Sequence, residues 1–433
     1  MLTHTAPAHH FCFISFPTLP MAESINLYTF ENNTVFSIFG KGLKLNTSDD
    51  VQEFVDTILQ MDALEVICLS GNTIGVEAAQ SLAAALKTRP TLKRALLSDI
   101  FTGRLLSEIP LALKALCDAF EETQLIELDL SDNAFGPAGA EPLIDFLSNT
   151  KTLQHLRLNN NGLGIGGGTM IAKALQAWAD KCKAENRIST LHTVICGRNR
   201  LEDGSAPSLG AAFAAHGTLR VVRMPQNGIR PTGIKRLVTG LRACEHLEHL
   251  DLQDNTFTAK GAKALSQSIS SWPKLQVLNV GDCLLSHRGG LTLAGALNNG
   301  HVKNLTRLNL QYNEIRGDAI LVLAEAVRTH LKDLEHLELN GNQFDPEMRE
   351  AQSLIDALAV WSHGDALDDL DDMEEVDSEE EEDEEDETSS DEEEDKDELV
   401  KKAEANEKKE PVARGDDSKA EQELVSQLEK THI

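Results

Sequence analysis

Few of the side chains that could do chemistry in this sequence stand in arrangements that would make an enzyme. No G-x-x-x-x-G-K-[ST] stretch occurs, so no phosphate-cradling loop of that kind is expected. The fourteen histidines include no H-E-x-x-H pair. The glycine run Gly162 to Gly168 (GLGIGGG) would allow close backbone approach to a phosphate, but it follows one strand of a series and not a lone strand–turn–helix unit. The carboxylates Asp129, Asp251 and Glu338, like His249 and His336, fall at variable strand positions. Such a set suits a solvated or docking face better than a glycosidase pair or a metal site. These residue types point to recognition, with no autonomous catalytic centre.

Composition narrows the classes further. The 433 residues carry 40 Lys+Arg against 70 Asp+Glu, a formal charge of -30. Residues 365–433 hold 32 of the acids and 8 of the bases, so -24 of that charge lies there and the remainder is only mildly acidic. A block of like charge repels itself and is expected to be disordered. An acidic chain is a poor nucleic-acid ligand, because Lys and Arg are needed to displace phosphate counterions. Hydrophobic residues make up 41% and aromatics only 4%, so a sizeable core must be packed with aliphatic side chains. Seven scattered cysteines (Cys12, Cys68, Cys117, Cys182, Cys196, Cys244, Cys283) without a C-x-x-C suit reduced thiols in the cytosol or nucleus. No run of 18 apolar residues predicts a membrane span. The first twenty residues have a weakly apolar stretch, Phe11 to Phe16, but no basic segment before it, so a disordered extension over 1–34 is expected, with Met21 as an alternative start.

The dominant feature is a repeat, L-x-x-L-x-L-x-x-N-x-L. Complete copies read Leu64–Ile67–Leu69–Asn72–Ile74, Leu125–Leu128–Leu130–Asn133–Phe135 and Leu153–Leu156–Leu158–Asn161–Leu163. They continue as Leu191–Val194–Cys196–Asn199–Leu201, Leu219–Val222–Met224–Asn227–Ile229 and Leu247–Leu250–Leu252–Asn255–Phe257. Leu305–Leu308–Leu310–Asn313–Ile315 and Leu334–Leu337–Leu339–Asn342–Phe344 complete the set. Two copies are degenerate: Cys283 and Ile100 stand in the Asn slot of the units beginning at Leu275 and Leu92. The usual spacing is 28 residues, interrupted by units of 33 and 38.

These units predict an α/β fold, a leucine-rich-repeat horseshoe of long, ribonuclease-inhibitor-like repeats, with parallel strands inside, helices outside and a disordered acidic tail. Each short strand turns alternate residues inward. The Asn amide satisfies backbone groups at the turn. The second half of each unit is helical: Ala78, Ala79, Leu82, Ala85 and Leu86 share one face of Gly75 to Leu86, and Gly289 to Leu297 and Asp318 to Val327 read the same way. Phe36 to Leu45 (FSIFGKGLKL) is expected to supply a capping strand. The domain plan is an extension over 1–34, repeats over 35–363 and an acidic tail over 364–433. The 38-residue unit carries a polar insertion around Lys181 to Arg187, read as a harmless surface insertion. The 33-residue unit contains Ser98 to Arg104 (SDIFTGR), which also replaces the ladder Asn, and insertions of this kind map to loops, often on a binding face.

Beyond the bare pattern, a series of motifs occurs in order: LSGNTIG (69–75), SDIFTGR (98–104), LSDNAFGP (130–137), EPLIDFLS (141–148), NNGLG (160–164 with Asn159 before it), ICGRNRLE (195–202), QNGIRPTGI (226–234), LDLQDNTFT (250–258), DCLLS (282–286), LQYNEI (310–315) and LELNGN (337–342). With the acidic run after them, these closely resemble the Ran GTPase-activating protein family. SDIFTGR and ICGRNRLE are not shared by leucine-rich repeats in general. The chain's close after the acidic segment is similar to the fungal arrangement. The resemblance implies an activator of GTP hydrolysis by Ran, not itself an enzyme and needing no cofactor, that keeps Ran in its GDP form in the cytoplasm, with concentration at the nuclear periphery, and so supports nucleocytoplasmic transport. It implies as partners Ran-GTP and Ran-binding proteins, no nucleic acid and no membrane, and a monomeric activator.

The resemblance also implies a mechanism without an arginine finger, in which Ran's own catalytic Gln is held in place by Asn160. An amide suits this work because it donates and accepts. Asn161 then fills the structural ladder. Arg104, which would otherwise be the candidate finger, is expected to shape its loop or contact Ran elsewhere, and Asp99 lies within reach to pair with it. Leu105 and Leu106 depart from the more polar residues usual there. Asp132, Asp254, Asp282 and Glu314 recur in the loops after the strands, where they would meet Lys and Arg of a partner or simply face solvent. Two alternatives stand beside this reading: a non-catalytic repeat scaffold that captures an enzyme or small GTPase, and an acidic histone-binding protein resting on the tail, which could equally be a solubilising extension or an electrostatic lure.

Overall fold

The structure, a computed structural model, describes residues 34–374. The expected N-terminal extension before Thr34 and the acidic run after Glu374 lie outside the described residues. The chain opens with β1 (Val35–Ser37), β2 (Lys44–Leu45), α1 (Ser48–Gln60), β3 (Val66–Cys68), β4 (Thr73–Ile74) and α2 (Val76–Leu86). It continues with β5 (Arg94–Leu96), α3 (Ile109–Phe120), β6 (Glu127–Asp129), α4 (Gly136–Asn149), β7 (His155–Arg157), α5 (Gly164–Ala184), β8 (Thr193–Ile195) and α6 (Glu202–His216). The last part holds β9 (Val221–Arg223), α7 (Pro231–Leu241), β10 (His249–Asp251), α8 (Thr258–Ser268), β11 (Val277–Asn279), α9 (Ser286–Asn298), β12 (Arg307–Asn309), α10 (Gly317–Thr329), β13 (His336–Glu338) and α11 (Arg349–Val360).

Eleven strands form one sheet in the order β1-β3-β5-β6-β7-β8-β9-β10-β11-β12-β13, while β2 and β4 pair separately. Every neighbouring pair is parallel and the register never slips: Leu128 lies opposite Leu156, Leu156 opposite Val194, and Leu250 opposite Leu278. Each repeat strand begins two residues after its first Leu, so the middle residue of each triplet points into the core. Ile67, Ala95, Leu128, Leu156 and Val222 are fully buried. Each helix packs against its sequence neighbours. Strands repeat at about 4.8 Å, but packed helices need about 8–10 Å, so the sheet lines the inner arc. Glycines bring helices α6 and α7 unusually close, since a Cβ on Gly240 would collide with the backbone of Gly210.

The ladder behaves as its residue type requires. Asn133 Nδ2 donates to Leu97 O (2.9 Å) and Leu130 O (2.8 Å), while Asn161 Oδ1 accepts from Asn133 N at 3.0 Å. Asn161 N in turn donates to Asn199 Oδ1 at 2.9 Å, and Asn199 N to Asn227 Oδ1 at 3.0 Å. All these amides are buried. In the degenerate unit the Cys283 thiol reaches Leu252 O at 3.4 Å, so the slot keeps a weak donor. Ile100 has none; its backbone N donates to Asn133 Oδ1 at 2.8 Å.

Two sequence expectations need correction. The insertion at Lys181 to Arg187 is largely no loop, because α5 runs on to Ala184. It lies at the helix C-terminus, where Lys181 Nζ reaches Asn149 Oδ1 at the end of α4, on the edge opposite the loops that follow the strands. The domain boundary drawn at 363/364 falls inside a packed segment. Leu337 N donates to Ala366 O (2.7 Å) and Asp368 N to Leu337 O (3.0 Å), which extends pairing beyond β13. The Asp368 carboxylate accepts from the backbone N of Leu339 (2.9 Å) and Asn340 (3.2 Å). Ala366 is buried, and Leu367, Leu370 and Met373 pack on the core. Net charge hid these apolar residues, which cover the edge strand as sheets require.

Truncation separates the packed 364–374 segment, a strap over β13, from the tail. A chain ending at 374 is expected to melt with the full chain. One ending at 363 loses the buried Ala366 and the partial burial of two leucines, worth about 1–3 kcal/mol, and hydrogen exchange should show the last repeat opening first. The strap also loads Glu338, whose carboxyl is pushed up to about 7 by burial first and by Asp368 second, against Arg307. The folded state therefore holds this proton to higher pH than the unfolded chain does. The stability it contributes is full below the unfolded value of 4.5 and is lost as pH rises through 7. Glu338→Gln should melt above wild type at pH 8 and level with it at pH 4.

Candidate functional site

The loops leaving the strands place one residue per repeat, just before the ladder position, in the left-handed region. Asp99 (φ 50), Asp132 (φ 61), Asn160 (φ 52), Arg198 (φ 56), Gln226 (φ 55), Asp254 (φ 54), Asp282 (φ 52) and Tyr312 (φ 51) make a single row along the rim. Asn and Asp tolerate this conformation because their short polar side chains bond locally. Each backbone N–H in the row donates to the next repeat: Asp132 to Asn159 O (2.8 Å), Asn160 to Gly197 O (2.9 Å), Arg198 to Pro225 O (2.9 Å) and Asp254 to Gly281 O (3.0 Å). The row is therefore a rigid set of Cβ positions one strand spacing apart.

This geometry unites five of the sequence candidates, Asp99, Asp132, Asn160, Asp254 and Asp282, at equivalent positions. Glu314 stands one residue beyond the ladder Asn, also left-handed (φ 60), so it belongs to a second row. The Asn160 side chain donates from Nδ2 to Asp132 Oδ1 at 3.0 Å. Gln226 makes the same kind of contact with Asp254 at 2.7 Å. With Asp282 and Leu284, those two residues line a shallow depression in the rim. Burial, then Asp254, raises the Asp282 carboxyl above the usual range. Arg198, Gln226 and Tyr312 were missed from sequence. Counting one residue back from each ladder position would have found them.

Arg104 sits elsewhere. Its Nε donates to Thr73 Oγ1 (2.8 Å), one terminal nitrogen to Asn46 Oδ1 (2.6 Å), and the other to Leu45 O (2.9 Å) and Thr73 O (2.7 Å). It thus clasps the small β2–β4 sheet to the second repeat, and a Cβ on Gly75 would press on it at 2.9 Å. The expected pairing with Asp99 is absent. Asp99 instead accepts from Thr102 Oγ1 at 2.5 Å, because the left-handed residue turns its carboxylate back over its own loop. Leu105 and Leu106, directly after Arg104, and Leu111 in the first turn of α3 are exposed.

The strand face is mixed: His336 is exposed and Asp129, His249 and Glu338 are half-buried, whereas Glu127 and Asp251 are buried. Glu127 is buried between Arg94 Nε (2.6 Å) and Arg157 Nε (3.0 Å). Asp251 is buried against Arg223 Nε at 3.1 Å, and its carboxyl is raised by burial although Arg223 opposes this. His249 is driven down to about 3 by burial and the two arginines Arg223 and Arg307, so it stays neutral. Among the described residues no cluster of three or more His, Cys, Asp or Glu could hold a metal ion, and no helix is long and apolar enough to cross a membrane. The glycine run has structural work: Gly162 and Gly164 take positive φ (63° and 58°), and a Cβ on Gly168 would meet Leu201 at 2.5 Å.

A family model for the leucine-rich repeat matches residues 123–143, 243–266 and 301–324. Ran GTPase-activating protein 1 of Saccharomyces cerevisiae is 38% identical over 327 residues, 73% of this chain and 80% of the relative. The chain belongs to the Ran GTPase-activating protein family. Ran GTPase-activating protein 1 of Xenopus laevis is 43% identical over 327 residues, 74% of this chain but 56% of the relative, so this family member spans little more than half of that longer protein. The ribonuclease inhibitor of Sus scrofa is 28% identical over 219 residues, 50% of this chain and 45% of that one.

The four hydrogen bonds of Arg104 predict that Arg104→Ala acts on folding. A cost of about 2 kcal/mol is expected from the acceptors left unsatisfied. Limited proteolysis should then cut within residues 34–60 sooner than in wild type, with the later repeats unaffected.

Proposed function

We infer that this chain accelerates GTP hydrolysis by the small GTPase Ran. Membership of a family whose relatives are named Ran GTPase-activating protein carries the reading. The chemistry stays in the partner. Hydrolysis needs a water held in line with the terminal phosphate, and positioning supplies most of the acceleration in such reactions. In this reading Ran's own Gln holds the water and Asn160 holds the Gln. A rigid backbone around Asn160 supports the assignment, since both neighbouring repeats hydrogen-bond to its loop. The commitment of all three Arg104 guanidinium nitrogens inside the fold supports an activator without an arginine finger. Asp99, Asp132, Asp254 and Asp282 in the one row, and Glu314 in the second, offer acids to basic side chains of Ran in its GTP form. The activator acts as a monomer, alone or with Ran-binding proteins, in the cytoplasm and at the nuclear periphery.

Single-turnover hydrolysis of GTP on Ran tests this. Wild type should speed the reaction, and Asn160→Ala should lower the accelerated rate about 100-fold or more, with affinity for Ran-GTP changed only a few-fold. Tight binding without acceleration by wild type would hand the function to the scaffold reading.

A further inference from the structure

We propose that Asp132 is a positioning residue that sets which end of the Asn160 amide faces the partner; the proposal rests on the orienting role inferred for Asn160. An Asn side chain has two nearly isosteric ends, an acceptor and a double donor. A rim position exposed on one side would let it turn either way. Asp132 removes that freedom. Its carboxylate, when ionised, can only accept, so the end of Asn160 turned toward it must be Nδ2. The contact is 3.0 Å between residues at the same position of consecutive repeats. Both residues are locked by left-handed backbones and by N–H bonds to the next repeat. Neither side chain can satisfy the contact by drifting, because the 28-residue period places their Cα atoms one strand spacing apart.

The consequence is directional. With Nδ2 held by Asp132, Oδ1 is the end left to meet a partner, and Asn160 makes no other side-chain hydrogen bond among the described residues. An acceptor at that point selects the NH2 end of the partner's Gln. The Gln oxygen is then turned away from Asn160 and is available to accept a proton of the attacking water, which aims a water lone pair at phosphorus. The reverse orientation would present the Gln NH2 to the water, where a donor meets the lone pair that must attack. The carboxylate thus decides the polarity of a chain running from Asp132 through Asn160 and the Gln to the water. The rim repeats the device once, at Gln226 and Asp254, two repeats farther on.

A double-mutant cycle tests the proposal, using single-turnover rates at saturating activator and binding to Ran loaded with a non-hydrolysable GTP analogue. Asp132→Ala should slow the accelerated step about 10-fold even at saturating activator, beyond any loss it causes in affinity for Ran, with the melting temperature near wild type. Asp132→Glu should recover part of the rate, whereas Asp132→Asn, which can face Asn160 with either end, should not. In the Asn160→Ala background, Asp132→Ala should cost nothing further, which a docking or folding role would not produce. A full 10-fold loss persisting in that background overturns the proposal, as does a loss confined to affinity. If Asn160→Ala itself hydrolyses at the wild-type rate, the orienting reading of Asn160 falls. If Asn160→Ala is slow and Asp132→Ala is not, only the role of Asp132 falls.

Discussion

Each repeat must carry the chain from a strand to a helix through the interior without leaving backbone amides unpaired, and a buried side-chain amide, present in eight of the ten repeats, makes this possible. The ladder Asn donates to carbonyls of its own and the preceding unit and accepts from the backbone of the preceding unit. An unpaired buried polar group costs about 1–3 kcal/mol, so a stack of such turns holds together only because every turn is completed by its neighbour. The horseshoe, the constant register and the shape of the rim follow from that dependence.

The same turn creates the row along the rim. A chain that leaves a strand and must present its next amide to the ladder takes a left-handed residue immediately before it, and that residue's side chain is thrown outward onto the rim. The scaffold thus yields a line of outward positions at strand spacing, each with a fixed backbone. Asn and Asp are favoured there for conformational reasons alone, so their recurrence needs no function to explain it. The proposed function rests on the differences along the line: an amide at 160 beside a carboxylate at 132, an arginine at 198, a depression with acids at 254 and 282.

Both ends of the stack show what happens where the period stops. At the N-terminal end Arg104 ties the β2–β4 pair to the second repeat, so the irregular loop that resembles an insertion for a partner is also a clasp. At the other end the 364–374 segment covers the edge of β13 with Leu367, Leu370 and Met373. In both places a polar or charged sequence signal conceals an interior task.

The repeat, its period and the strand and helix in each unit were legible in the sequence, because leucine spacing and the Asn slot are local and every unit repeats the same contacts. Family membership was legible as well, through SDIFTGR and ICGRNRLE. The choice of Asn160 came from resemblance alone and belongs to the proposed function. The tertiary structure alone decided that Asp99, Asp132, Asn160, Asp254 and Asp282 are one row, that Asp132 holds Nδ2 of Asn160, and that Arg104 bonds Leu45, Asn46 and Thr73, as far as 59 residues away, instead of Asp99. The division has a physical cause. Spacing along the chain specifies which face of a strand or helix a residue takes, whereas the partner of an exposed polar side chain depends on which loop of the neighbouring repeat lies beside it, and stacking sets that.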